Sequence, residues 1–371
     1  MIQVLDLGGL PLLLFIIYLA NGYALDVITG LLRKQKPLAP AVAFILLLSV
    51  IAVYGKFRLD EHHDKKAEGG PEQSIRVVSI QPNIPLVSYL RKGSIHLQPM
   101  IKLSRQAIKK FPAGDVFVLP EIPNNLDCGD DFYRENLGGL AIKSGKEFLV
   151  QCDKTLGRSP TYYFSAAKNL SPLPANDMGR FDQEYHKIIL FPFGEYLPWT
   201  REYPFLLRIA TDFGRNFTAG QKFTVFDLDE NKTAATPICY EAVFSNHIRE
   251  FIHSGANIII NMTNDAWWGK SDLSIVHFAL TSFRAVEYRV PMVRVTNSGV
   301  GAFVEATGEI VAGSMTPYFE EAITSFPLFI PEQRSPYFYP GDAFLWILLV
   351  LFAADLLRSV KILRRQNAPL P

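Results

Sequence analysis

Four apolar runs in the middle of the chain end on polar residues that burial alone does not require. DVFVLP runs into Glu121. YHKIILF carries Lys187, and the loop FPFGEYLP beyond it carries Glu195. TAATPI ends on Cys239, followed by Tyr240 and Glu241, and NIIINMT ends on Asn264 and Asp265, followed by Ala266, Trp267, Trp268 and Gly269. In α/β proteins ligands bind beyond the carboxyl ends of strands, so the placement has a chemical reading. A thiol, a carboxylate and an ammonium brought together are a nucleophile, its base and a fixed positive charge, the set that acyl transfer needs. A strand turning into a helix at Cys239 puts the sulfur at a helix N-terminus, where free N–H groups and the dipole lower a thiol pKa. Each residue alone has a plainer role: an inert buried Cys, a capping Glu, a surface Lys. The three together, each at a strand end, point to chemistry.

The elements that must position them alternate from Ile75 onward. IRVVSIQ and DVFVLPE read as strands, and Leu97, Met100, Ile101 and Ile108 follow helical spacing between them. EFLVQCD and TYYFSAA form a hairpin pair, YHKIILF is a strand, and KFTVFDL and TAATPIC flank an Asp/Asn turn. A helix is predicted over EAVFSNHIREFIHSG, then a buried strand ANIIINMTN, a helix SIVHFALTSFRAVEYR and a strand pair from Pro291. Residues 75–330 in this order suit one layered α/β domain, with helices outside a sheet-on-sheet sandwich.

The frame around that domain is apolar. The stretch from Leu7 to Leu32 and the one from Pro37 to Tyr54 reach the ~20 residues a membrane-spanning helix needs, giving two transmembrane helices within residues 1–55. The first lacks the basic start of a signal peptide. A third stretch, Ala343 to Leu357, is shorter and holds Asp355; with its basic tail it gives a C-terminal span over residues 341–363. Arg33, Lys34 and Lys36 between the first two spans, and Arg358, Lys361, Arg364 and Arg365 after the third, place both loops in the cytoplasm. The domain between then lies on the far side, the periplasm of a bacterium. Residues 56–74, charged and punctuated by Gly and Pro, read as a juxtamembrane linker, with His62 and His63 solvated in it.

Composition narrows the classes further. With 37 Lys+Arg against 36 Asp+Glu the chain lacks the basic surplus of a nucleic-acid binder, and 49% hydrophobic residues exclude disorder. Three cysteines make no disulfide framework or CxxC motif; Cys128 and Cys152 are open to pairing or to remaining free thiols. Asn169, Asn216, Asn231 and Asn261 stand in N-x-S/T triplets, a pattern common by chance.

The motifs QPNIP (81–85), LPE (119–121), YHKIILFPFGEYLP (185–198), ICYE (238–241), NMTNDAWWG (261–269) and the opening DLGG (6–9) resemble the nitrilase superfamily, and within it the bacterial apolipoprotein N-acyltransferases. The resemblance implies a nitrilase-like αββα sandwich over residues 75–330, flanked by transmembrane helices in the inner membrane. It implies Cys239 as nucleophile, Glu121 as general base and Lys187 as partner of the tetrahedral oxyanion, supported by Glu195, Tyr240 and Glu241. Trp267, Trp268 and Tyr89 fall where substrate would bind. The implied reaction moves a fatty acyl chain from a phospholipid, through a thioester, to the amine of an N-terminal diacylglyceryl-cysteine on an apolipoprotein, with no metal or cofactor. A membrane-tethered amidohydrolase using the same triad is the alternative, and a non-catalytic membrane-anchored scaffold a third. The sequence departs from the family at Phe164, where an Asn is usual. No Trp follows QPNIP, where Tyr89 is the nearest aromatic. The family's members carry further helices ahead of the part that this chain matches.

Overall fold

The computed structural model describes residues 1–86, 97–121, 130–156, 161–170, 181–199, 202–203, 205, 217–229 and 231–366. Of these, 134, 154–156, 161–170, 181–182 and 359–366 are described by backbone alone. The elements in chain order are α1 (Leu5–Leu32), α2 (Leu38–Glu68), β1 (Ser74–Gln81), α3 (Gln98–Lys110), β2 (Val116–Val118), α4 (Gly139–Ser144), β3 (Glu147–Leu156), β4 (Thr161–Leu170) and β5 (Phe181–His186). They continue with β6 (Phe217–Thr218), β7 (Val225–Asp229), β8 (Lys232–Ala235), α5 (Ser245–His253), β9 (Ile258–Thr263), α6 (Leu273–Tyr288), β10 (Met292–Thr296), β11 (Ala302–Val304), β12 (Ala322–Phe329) and α7 (Ala343–Gln366). They fall into two compact units.

The helical unit comprises residues 1–63, 286–289 and 333–366. Among the described residues, two helical stretches, Ile2–Leu32 and Leu38–Glu68, are long and apolar enough to cross a membrane. The charged segment expected to be a linker continues α2 as helix to Glu68, because its Lys, Glu, Asp and Arg residues are helix formers or paired at helical spacing, as Lys56–Asp60 is at 2.7 Å. Near the start of α1, Gly8 and Gly9 leave helical geometry. Gly9 has φ 61°, and a Cβ there would meet the Tyr337 ring at 2.6 Å. Buried Asp6 ahead of this break accepts from Tyr54, Arg58 and Arg289 at 2.6–3.0 Å.

The larger unit holds two sheets. One runs β12-β1-β2-β3-β4-β5, with β6 beside β4; the other runs β11-β10-β9-β8-β7. β1, β2 and β3 are mutually parallel, as are β8, β9 and β10, and antiparallel strands close the edges. The central strands β9 and β10 are buried at every residue, as a strand covered on both faces must be. β1 packs against β10 across the sandwich, and the Phe303 and Phe326 rings of β11 and β12 meet edge to face at 5.5 Å. Met100, Ile101, Leu103 and Ala107 of α3 bury their stripe on Val78, Phe117, Phe148 and Val150 of the first sheet. On the second sheet α5 buries Ile248, Phe251 and Ile252. This is the nitrilase-like sandwich that the motifs led us to expect.

Two local expectations are corrected. The strand drawn through YHKIILF ends at His186, one residue before Lys187, because the N–H groups of Ile188 and Ile189 donate to the Glu241 carboxylate. The helix drawn from Glu241 is two pieces: Cys239–Val243 is a single 3-10 turn, and α5 begins at Ser245. The Glu241 side chain accepts from Ile238 N–H at the turn's start and tightens it.

Candidate active site

Glu121, Lys187 and Cys239 come from three separate strand ends and converge. Glu121 lies three residues beyond β2, buried, with Oε1 3.9 Å from Lys187 Nζ. Lys187 follows β5 directly and is fully buried. Its ammonium donates to Glu195 Oε1 at 2.5 Å and lies 5.6 Å from the centre of the Tyr240 ring. Cys239, partly accessible and free, opens its 3-10 turn with φ 54°. That left-handed backbone is unfavourable for a residue with a Cβ and marks sites that the surroundings over-determine.

The supporting residues fix the loops that carry these groups. Glu195 holds its own loop through Phe191 N–H at 2.9 Å as well as Lys187. Fully buried Glu241 gathers four donors: Ile188 N–H at 2.7 Å, Ile189 N–H at 2.9 Å, Ile238 N–H at 2.8 Å and Tyr185 Oη at 2.9 Å. It thereby ties the Lys187 loop to the Cys239 turn. Tyr240 Oη donates to Leu190 O at 2.6 Å, a second tie between the same two segments. Burying the Glu241 carboxylate acts to raise its pKa, but His247, Lys187 and the Ile238 N–H outweigh that and leave it below its ordinary value.

Burial raises the Glu121 carboxyl from its ordinary 4.5 to about 7; Lys187 opposes the rise and Glu195 adds to it. Hydrogen bonding from the Cys239 thiol and the Asn264 backbone also favours the ionised form. For Lys187 burial acts to lower the pKa, but the Glu195 and Glu121 carboxylates more than offset it, so the group stays an ammonium. The Cys239 thiol is corrected against expectation. The turn is too short to supply a full helix dipole, and burial, then the Glu121 carboxylate, push the thiol above its ordinary range. The arrangement therefore suits a neutral thiol that loses its proton to a carboxylate poised near neutrality as it attacks.

The aromatic residues divide. Trp267 and the loop residues Phe191, Phe193 and Trp199 are half or more exposed, while the Trp268 and His277 rings meet in a T-shaped pair with centroids 4.8 Å apart. Tyr89 lies outside the described residues, as does the side chain of Phe164. Cys152 is disulfide-bonded; Cys128 lies outside the described residues. Asp265, read from the sequence as a strand-end polar group, is buried in a structural network, paired with Arg294 at 3.0 Å and accepting from Ser274 Oγ at 2.5 Å. Sequence reading missed Asn261, Arg294 and Thr263. Asn261 was one triplet among four, yet its side chain donates to Cys239 O, and Thr263 hydrogen-bonds the thiol. The only signal was polarity inside strands otherwise apolar throughout.

Residues 173–325 match the sequence profile of the carbon-nitrogen hydrolase family. Apolipoprotein N-acyltransferase of Geobacter metallireducens is 31% identical over 360 residues, 93% of this chain and 64% of the relative. That of Thermotoga maritima is 27% identical over 95% of this chain and 62% of the relative, and that of Bdellovibrio bacteriovorus 30% identical over 68% and 47%. The chain thus spans about half to two thirds of the length of these relatives. Among solved structures, Saccharomyces cerevisiae Nit3, of the nitrilase superfamily, superimposes with a TM-score of 0.51 at 18% identity, over 70% of this chain and 91% of Nit3. A carbon-nitrogen hydrolase of Helicobacter pylori gives 0.50 at 17% identity, over 69% and 89%.

Proposed function

For a chain that carries a carbon-nitrogen hydrolase domain and has homologues named apolipoprotein N-acyltransferase, we propose acyl transfer from a phospholipid to the N-terminal amine of a diacylglyceryl-cysteine lipoprotein. The observation that carries this reading is the convergence of Glu121 and Lys187 on a strained, partly accessible Cys239. In the first half-reaction Cys239 Sγ attacks the ester carbonyl of the phospholipid and passes its proton to Glu121. Lys187, held charged by two carboxylates, faces the oxyanion of the tetrahedral adduct. The adduct collapses to a thioester as the lysophospholipid alcohol leaves with the proton from Glu121. In the second half, the acceptor amine attacks the thioester, Glu121 takes the amine proton, and the thiolate leaves and recovers it. An amide replaces the thioester and the enzyme is regenerated.

The exposed aromatics Phe191, Phe193, Trp199 and Trp267 support an apolar rim that admits acyl chains and keeps water from the thioester, favouring aminolysis over hydrolysis. The apolar helices α1 and α2 support membrane anchoring, with α7 as a third span. The basic loop at residues 33–36 on the cytoplasmic side then leaves the catalytic unit on the periplasmic side of the inner membrane.

Intact mass of the detergent-solubilised chain after incubation with phospholipid, beside Cys239→Ala, tests the first half. A fatty-acyl increment absent from the variant and released by hydroxylamine supports it; no increment on folded wild type sinks it. Adding a diacylglyceryl-cysteine peptide tests the second half. Acyl transfer to the peptide supports the transferase, and release of free fatty acid alone would instead make the protein a membrane-tethered hydrolase.

A further inference from the structure

Asn261 sits fully buried in β9, and its Nδ2 donates to two carbonyls, Pro237 O and Cys239 O, each at 3.0 Å. These carbonyls bracket Ile238 and lead the chain into the left-handed turn at Cys239. An Asn amide has one donating and one accepting end, so a clamp of this kind works only if the amide cannot flip. Arg294 removes that freedom. It is fully buried on β10, and its Nη1 donates to Asn261 Oδ1 at 2.8 Å, which leaves Nδ2 facing the carbonyls.

Arg294 is itself fixed on several sides. Nη2 reaches both Asp265 carboxylate oxygens at 3.0 Å, Nη1 also reaches Thr281 Oγ1 at 3.3 Å, and Nε donates to Val300 O at 3.2 Å. The His277 ring packs beside Nη2 and stays neutral, its pKa pushed down to about 4 by burial and by Arg294. A charged, fully buried side chain with this many partners is costly to place, and the packing of the core alone does not account for its link to Asn261.

We infer that Asn261, oriented by Arg294, is a positioning residue that holds the Cys239 turn in its left-handed conformation and so aims the thiol at Glu121. The inference rests on Cys239 being the nucleophile. It adds that the direction of attack is set from the buried side of the sheet, by a side chain that never meets substrate.

The test compares the detergent-solubilised wild-type chain with Asn261→Thr and Arg294→Lys. Thr keeps a strand-compatible shape but cannot reach both carbonyls. Lys keeps a positive charge beside Asp265 but lacks the second arm to Asn261. Two readouts are taken on protein whose melting temperature shows it folded: the rate of acyl-enzyme formation against phospholipid concentration, and the pH profile of iodoacetamide alkylation at the Cys239 peptide.

For Asn261→Thr the maximal acylation rate falls about 100-fold at unchanged half-saturation, as expected for a misaimed nucleophile. Its alkylation profile also shifts along the pH axis as the thiol loses Glu121. Arg294→Lys shows the same pattern with about a 10-fold loss. An acylation rate and alkylation profile both within threefold of wild type, or a change confined to half-saturation, overturns the inference. Should Asn261→Thr not fold, Asn261→Ser takes its place in the same comparison. If the wild type forms no acyl-enzyme, the proposed function falls, yet the alkylation profiles still decide whether Asn261 aims the thiol.

Discussion

Lys187 donates to Glu195 at 2.5 Å and stands 3.9 Å from Glu121, so the cation in this site is held by one carboxylate and only approached by the other. Glu121 is the less compensated of the two. Its burial therefore raises its pKa to about 7, and the negative charge on Glu195 adds to the rise. In Glu195→Gln that added repulsion is gone and Lys187 is free to turn to Glu121. The acidic limb of the kcat/KM profile moves down by about one pH unit, while kcat falls because Lys187 has lost its anchor. A pH–rate profile of the variant with an acidic limb at or above that of wild type contradicts this arrangement.

For the wild type, the base must be ionised to accept the thiol proton. Activity rises with pH through about 7, following the Glu121 carboxyl. The stability effect has the opposite sign. A carboxyl whose pKa is raised on folding stabilises the fold while protonated, and that contribution is lost as pH rises from about 4.5 through about 7. Glu121→Gln, which never ionises, is therefore inactive but melts higher than wild type at pH 8.5, by an amount on the order of a few kcal/mol. The two melt together at pH 4. Thermal melts in detergent at both pH values check it.

Gly220 N–H donates to Lys187 O at 2.8 Å, and a Cβ on Gly220 would lie 2.2 Å from His186 O. No side-chain rotation relieves a contact with backbone. Gly220→Ala displaces the segment that carries Lys187, so acyl-enzyme formation drops by about 100-fold, although the substituted residue touches no reacting group. A single-turnover acylation rate reads this directly.

Buried Asp265 accepts from Arg294, Ser274 and His277; burial acts to raise its pKa, but Arg294, His277 and Ser274 together outweigh that and hold the carboxyl well below the ordinary range. Asp265→Asn leaves the guanidinium buried without its counter-charge. The loss is about 3–5 kcal/mol of stability, read as a lowered melting temperature across neutral pH; the gap closes only at acid pH, as the wild type loses this contribution when its own carboxylate protonates.

Much of the fold was legible because its signals are local. Predominantly apolar runs such as IIINMT and MVRVT read as strands covered on both faces, and both are buried throughout. The helical spacing of Leu97, Met100, Ile101 and Ile108 is likewise a local signal, and α3 covers Gln98–Lys110. The misjudged boundaries were those decided by a distant side chain. β5 stops at His186, and the turn at Cys239 is 3-10, because one carboxylate, Glu241, takes the N–H groups of Ile188, Ile189 and Ile238. No window of sequence around residue 187 contains that carboxylate.

The sequence by itself determined which groups are present and that each stands at the end of an apolar run, since residue type and hydrophobic period are local properties. The tertiary structure alone decided their states. Whether a thiol is lowered or raised depends on the burial of its neighbours and the distance to each charge. Those distances link residues 121, 187, 195 and 239, which only the packing of two sheets brings together. The same holds for Asn261: in the sequence it is a polar residue in a common triplet, and only the register of β9 beside β10 sets Arg294 opposite it and turns its amide toward Cys239.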